Sequence, residues 1–190
     1  MIALFDIDGT ICDTPNLWLK WITSKTGHRF YRENMKTYSS FAKEISKIKT
    51  DIDLYDFWRK KDLYDEIEPY RMAVKMYNDL KENNYTILFV SHCNDFPEHI
   101  KSKQRFLKEY FHDYDGFIST DKKELILGDI LIDDNPKHII DFLSLRNNVP
   151  LTTFLSEQFY NKDERKLIEK NLNKNQNYMS GNLKSSLSEI

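Results

Sequence analysis

Two carboxylates, two residues apart, close the first apolar run of the chain: Ile2-Ala-Leu-Phe5-Asp6-Ile-Asp8-Gly9-Thr10. Charged groups at the end of a buried segment are costly unless they meet a metal, a phosphate or each other. Partners with the right chemistry recur downstream. Ser91 ends the run Tyr85-Thr-Ile-Leu-Phe-Val-Ser91, and Asp133-Asp134 end Asp129-Ile-Leu-Ile, with Lys122-Lys123 between them. Acidic side chains brought from distant positions repel unless a cation sits among them. An oxygen-rich, sulfur-free set favours Mg²⁺, which usually shares its ligands with a phosphate. A serine hydroxyl and a lysine ammonium suit the remaining phosphate oxygens. Singly, each feature has a bland reading: a solvated Asp-Ile-Asp-Gly turn, a hydroxyl capping a loop, an exposed lysine, an acidic cap ahead of Pro136. The ordered set outweighs those readings.

The elements that must carry these residues are legible around them. Ile2 to Phe5 has the length and character of a buried parallel strand, and Gly9 permits the sharp exit after it. In an open α/β sheet the carboxyl ends of strands are where ligands bind. Thr14 as N-cap and Pro15 at the first helical position predict a helix with Leu17, Trp18, Trp21 and Ile22 at helical spacing, stopped by Gly27. The stretch to Asp65 stays aromatic-rich and helical, so 15–66 reads as an insertion between the first strand and the next sheet unit. From Pro69, helices alternate with strands. We expect a helix from about Tyr70 to Glu82 and a strand to Ser91. Asn94-Asp95 and Pro97 then open a second helix. Strands follow over Gly116–Ser119 and Asp129–Asp133, then a helix from Pro136 and an edge strand over Val149 to Leu155. That alternation predicts a mostly parallel sheet flanked by helices, built from 1–14 and 67–160. A final helix over roughly 156–172 and then a frayed polar tail are expected, so that 161–190 holds the end of that helix and the tail. The basic stretch Lys101 to Lys108 reads as a solvated helix face.

Composition excludes several classes. At 190 residues the chain suits one domain with a sizeable core, or a core plus an insertion. A net charge of −2 offers no basic field for nucleic acid. No run approaches the roughly 18 apolar residues of a membrane span, and a strand beginning at residue 2 leaves no room for a secretory signal. Cys12 and Cys93 make neither a disulfide framework nor a zinc spacing, and read as small buried fillers. The expectation is a cytoplasmic, reduced protein.

Asp6-Ile-Asp8-Gly9-Thr10, then Ser91, then a lysine, then Ile-Asp133-Asp134 resembles the haloacid dehalogenase (HAD) superfamily in the order that superfamily uses, over residues 1 to about 142. The resemblance implies a Rossmann-like core, an aspartyl-phosphate intermediate, Mg²⁺, and a small helical cap at 15–66. An Asp two residues after the nucleophile resembles the phosphatases and phosphomutases. Glu68-Pro69, the run Asp129 to Pro136, and the spacing of Thr120, Lys123 and Asp133 resemble the 5'(3')-deoxyribonucleotidases. Ser91-His92-Cys93-Asn94 departs from their pattern.

By that resemblance Asp6 is the nucleophile and Asp8 the acid/base, which also offers its backbone carbonyl to the metal. Asp6, Asp133 and Asp134 are the other metal residues, with the inner-sphere member of the last pair left open. Ser91 binds phosphate, and Lys123, with Lys122 as the alternative, neutralises charge. His92 is a candidate for substrate contact or for a loop histidine satisfied by backbone. Trp18 and Trp58 are candidates for a nucleobase pocket, whereas Trp21, Tyr55, Phe57 and Tyr64 are expected to fill the insertion's own interior. The implied substrate is a (deoxy)nucleoside monophosphate. Another small phosphate ester or a nucleic-acid end is the alternative, and a receiver-like signalling domain fits the motif order poorly.

Overall fold

The computed structural model describes residues 1–93, 96–146 and 150–183. The expected helix opening at Asn94-Asp95, the strand start at Val149 and the end of the tail lie outside these. Six parallel strands form one sheet in the order β3-β2-β1-β4-β5-β6. They are β1 (Ile2–Phe5), β2 (Thr86–Ser91), β3 (Gly116–Ser119), β4 (Ile130–Asp133), β5 (Leu151–Ser156) and β6 (Gln176–Gly181). The helices are α1 (Thr14–Thr26), α2 (Tyr38–Ser46), α3 (Arg71–Glu82), α4 (Pro97–Tyr110), α5 (Pro136–Leu145) and the short α6 (Arg165–Glu169). None is long and apolar enough to cross a membrane.

Alternation along the strands assigns the two faces. Ala3, Phe5, Ile87, Phe89 and Ile132 pack with Tyr77 of α3 and Phe106 of α4. Leu4, Val90 and Leu131 pack on the other face with Ile139 and Phe142 of α5 and Ile168 of α6. Strands buried on both faces explain the continuous apolar runs in the sequence. β1 and β4 are neighbours at the point where strand order reverses, the crevice where ligands of open α/β sheets bind.

Residues 13–68 leave and return at one place. Cys12 and Pro69 form an antiparallel bridge, and the Tyr70 N–H donates to the Ile11 carbonyl at 2.7 Å. The excursion carries α1, α2 and 3₁₀ turns at Arg32–Asn34 and Leu54–Arg59. Its buried Trp18, Phe41 and Phe57 join the same apolar cluster as Phe5 and Ile7. Gly27 ends α1 in the left-handed region at φ 70°, as expected. Thr14 does not cap the helix; Asp13 is the N-cap residue.

Two expectations at the carboxyl end are corrected. β5 is interior, because β6 pairs with it over six residues, Leu151–Ser156 against Gln176–Gly181. The polar sequence of β6 hid it: an edge strand is held by its backbone ladder and needs few apolar side chains. The helix expected over 156–172 shrinks to α6. Residues 157–161 form instead a loop in which Gln158, Tyr160 and Asn161 are buried, next to the buried Ser156 that ends β5.

Candidate active site

The carboxyl ends of β1, β2 and β4 bring the distant motifs together. Asp6 and Asp8 follow β1, Ser91 ends β2, and Asp133 ends β4 with Asp134 next. Oxygens of Asp6, Asp133 and Asp134 all lie within 4.8 Å of one another, and all three residues are buried. The Lys123 ammonium stands 2.7 Å from Asp6 Oδ1 and 2.6 Å from Asp133 Oδ2. Lys122 is exposed. A 3₁₀ turn starting at Lys123 turns that side chain alone inward.

The first loop is shaped by close approach. Gly9 has φ +75°, and a Cβ there would lie 2.2 Å from the Tyr160 hydroxyl and 2.6 Å from Asp134 Oδ2. Its carbonyl accepts from Gln158 Nε2 at 2.5 Å. The Thr10 hydroxyl sits 3.2 Å from Asp6 Oδ2 and 3.3 Å from Asp134 Oδ1. Tyr160 donates to Asp134 Oδ2 at 2.6 Å, and Asn161 Nδ2 donates to the Asp134 carbonyl at 2.7 Å.

The members of the acidic pair differ in environment. Asp133 Oδ2 faces Lys123 and its Oδ1 accepts from the Asn135 N–H at 2.8 Å, while His138 Nδ1 lies 3.2 Å from Oδ2. Burial pushes the Asp133 carboxyl up, but Lys123 and His138 outweigh it and hold it below the usual range. Asp134 makes no ion pair among the described residues. Burial, then Asp6 and Asp133, drive its carboxyl well above the usual value. Burial also raises Asp6, with Lys123 opposing. Three crowded carboxylates facing one shared ammonium leave uncompensated negative charge, and their hard oxygen donors fit a divalent cation.

Asp8 points away from this cluster. Its Oδ1 accepts from the Thr14 hydroxyl at 2.8 Å and the Tyr64 hydroxyl at 2.6 Å. Its Oδ2 meets Lys103 Nζ at 2.6 Å and the Ser91 hydroxyl at 3.4 Å. Lys103 also donates to Ser91 Oγ at 2.8 Å and to the His92 carbonyl at 3.1 Å. Burial alone would raise the Asp8 carboxyl, but Lys103 and the hydrogen bonds from Lys103 and Tyr64 leave it below its ordinary value.

Lys103 therefore corrects the reading of 101–108 as a solvated face. His99, Ser102, Lys103, Phe106 and Leu107 form the buried stripe of α4. Only Phe106 and Leu107 of that stripe are apolar, so the available signal was the place of Lys103 three and four residues before them, on the same helix face. Tyr64 is a second correction: it is buried as expected, yet its hydroxyl serves Asp8. Tyr160, Gln158 and Asn161 carried no comparable signal, because their polar groups matter only after folding.

A cavity of about 700 Å³ adjoins the carboxylates. Trp18, Phe41, Tyr55, Trp58, His92 and Asp8 are among its lining. Trp18, Trp58 and His92 also line the smaller cleft holding Asp6, Ser91, Lys123 and Asp134. The Trp18 indole N–H is used by the Leu54 carbonyl at 2.8 Å, leaving only its ring to a ligand. Trp18 and Trp58 rings stand 5.5 Å apart, edge to face. Trp21 and Phe57 pack against each other, with centroids 6.1 Å apart.

Comparison with known proteins places these features in a family. The model of the family described as "5' nucleotidase, deoxy (Pyrimidine), cytosolic type C protein" matches residues 1–164. A Staphylococcus epidermidis protein provisionally named 5'(3')-deoxyribonucleotidase is 25% identical over 138 residues, covering 70% of this chain and 74% of that protein. The fold is similar to a HAD family hydrolase from Deinococcus radiodurans R1 with bound phosphate and sodium, at TM-score 0.60 and 11% identity over 95% of this chain and 90% of that one. A structure provisionally described as a beta-phosphoglucomutase from Thermotoga maritima gives TM-score 0.57 at 13% identity, over 97% and 95% of the two chains.

Proposed function

The chain belongs to the cytosolic type C 5'-nucleotidase family of HAD-type phosphatases, and on that premise we propose that it hydrolyses (deoxy)nucleoside monophosphates with Mg²⁺ through an aspartyl phosphate on Asp6. One observation carries this reading: a buried carboxylate and lysine cleft runs into an aromatic cavity of about 700 Å³, sharing Asp8, Trp18, Trp58 and His92. That size suits a drug-sized ligand, and flat aromatic walls suit a base. Residues 15–66 act as the cap over the core.

Asp6 attacks phosphorus in line as the ester P–O bond breaks. Lys123 and Thr10 orient its carboxylate. Ser91 and Lys123 hold phosphoryl oxygens, giving preorganised stabilisation of the dispersed charge. Asp8 protonates the leaving oxygen, then takes a proton from the water that cleaves the acyl phosphate, which restores both groups. Asp8 is a carboxylate paired with Lys103. A phosphate dianion beside Ser91 competes for that ammonium and raises the proton affinity of Asp8, which then takes up from solvent the proton it gives to the leaving oxygen. Asp6, Asp134 and the Asp8 backbone carbonyl are the groups that would hold Mg²⁺. Asp133, both of whose oxygens are engaged by Lys123 and the Asn135 N–H, braces them from behind. When bound, the cation supplies positive charge to the phosphate and to the crowded carboxylates.

The test is a Mg²⁺-supported screen of deoxy- and ribonucleoside 5'- and 3'-monophosphates beside sugar phosphates, with p-nitrophenyl phosphate as reference. Nucleotides are expected to lead. Equal turnover of sugar phosphates defeats the nucleotide reading and spares the phosphatase. Asp6→Asn is expected to abolish p-nitrophenyl phosphate turnover with the circular dichroism spectrum unchanged; retained turnover removes Asp6 as the nucleophile.

A further inference from the structure

Tyr64 belongs to the return segment of the 13–68 excursion, yet its side chain ends in the site built by the core. The residue is 1% exposed, and its hydroxyl donates to Asp8 Oδ1 at 2.6 Å. Its ring packs against Phe106 of α4, with centroids 6.0 Å apart, and Lys103 Nζ lies 5.5 Å from its centre. The backbone is fastened to the same helix. The Tyr64 N–H donates to Ser102 Oγ at 2.9 Å, and that hydroxyl reaches Asp65 Oδ1 at 3.3 Å. Arg105 Nη2 donates to both Asp65 oxygens at 2.8 Å and to the Lys61 carbonyl at 2.9 Å.

α4 thus holds the two Asp8 oxygens by two routes. Lys103 donates to Oδ2 directly at 2.6 Å, and its neighbour Ser102 secures Oδ1 through Tyr64. The terminal torsion of an aspartate is broad, so a carboxyl that must hand over a proton in one direction needs both oxygens held. Asp8 keeps 22% of its side-chain surface open and lines both the cleft and the cavity, so it is held and still accessible. We propose that Tyr64 is a positioning residue that aims the Asp8 carboxyl at the leaving oxygen, fixed in place by the Ser102, Asp65 and Arg105 clamp. This rests on the role given to Asp8 above and deepens it. The excursion therefore contributes to proton transfer as well as to the cavity walls.

The experiment measures the phenol released in a single turnover, with enzyme in excess and Mg²⁺ present, from phenyl, p-nitrophenyl and 2,4-dinitrophenyl phosphate. Release reports only the transfer to Asp6, and phenol, the poorest leaving group of the series, depends most on a delivered proton. Dinitrophenolate leaves without one. In Tyr64→Phe, phenyl phosphate should slow about tenfold or more, and 2,4-dinitrophenyl phosphate by less than about threefold. Arg105→Gln, at a side chain that is half exposed, should tilt the series the same way by a smaller factor. A merely structural role slows all three substrates alike. Equal slowing across the series in Tyr64→Phe, or none, overturns the assignment, and a wild-type series in Arg105→Gln overturns the clamp. Asp8→Asn is the control and should tilt the series more steeply than Tyr64→Phe. If Asp8→Asn slows all three alike, the acid role of Asp8 fails, and this inference with it.

Discussion

Replacing Lys103 with Met tests the proposed wiring of Asp8 most directly. Lys103 has no exposed side-chain surface and Asp8 has 22%, and their charged atoms are 2.6 Å apart. Removing one partner of such a pair costs ~3–5 kcal/mol, because it strands the other charge. Asp8 keeps its Thr14 and Tyr64 hydrogen bonds, so we take the lower end, ~3 kcal/mol. For a chain of this length that is a fall in Tm of roughly 6–12 °C. Asp8→Asn alone strands the ammonium and should cost a similar amount. The double variant should lose clearly less than the two singles together, since neither charge remains to be stranded. The assay is urea and thermal unfolding at pH 7 for all four proteins of the cycle. The pH dependence follows with a definite sign. Asp8 has a folded pKa below its ordinary 3.8, so its contribution is present above that value and is lost as pH falls through the folded value. Lys103 is raised above 10.5, so its contribution is present below that value and is lost as pH rises through the folded value. Strict additivity in the cycle, or a loss below ~1 kcal/mol for Lys103→Met, would refute a buried, coupled pair.

Two other outcomes are expected. Gly9→Ala meets both a left-handed φ and a Cβ 2.2 Å from the Tyr160 hydroxyl, so it should destabilise by ~2 kcal/mol or more and lower hydrolysis. Tyr160→Phe in the same chain should recover part of the stability; no recovery assigns the loss to φ and to the Asp134 carboxylate, which the same Cβ meets at 2.6 Å. His99, lowered from 6.5 to about 4, stays neutral in the fold while the unfolded chain takes up a proton, so stability should rise by about 3 kcal/mol between pH 4 and 6.5. The readout is the difference between wild type and His99→Phe across that range. It also removes the contribution of His138, whose pKa is raised above 6.5 and whose effect has the opposite sign. A pH-independent difference would show that His99 titrates normally.

Much of the architecture was readable because burial leaves a trace in residue order. Strands covered on both faces must be apolar throughout, so β1, β2 and β4 stand out, and the polar residues ending them mark the ligand edge of the sheet. Asp6, Asp8, Ser91, Asp133 and Asp134 were all nameable for that reason. The lysine choice was only half legible, since either Lys122 or Lys123 fits a short turn and the fold alone turns Lys123 inward. β6 was not legible, because an edge strand is held by backbone hydrogen bonds that leave little mark on side-chain type. The same holds for the loop at 157–161, whose Gln158, Tyr160 and Asn161 become buried partners of Gly9 and Asp134.

The sequence by itself determined the chemistry available to this protein: which carboxylates gather at the sheet edge, in what order, and that a hydroxyl and an ammonium accompany them. Tertiary structure decided how that chemistry is divided. Asp6 and Asp8, alike in type and two residues apart, face different cations, Lys123 for one and Lys103 for the other. It also drew Lys103, Tyr64 and His99 from apparent surface and filler into contact with the site and its cavity. Local sequence sets which groups a strand end presents. The packing of remote helices sets the charge and burial around each, and those govern what each carboxylate can do.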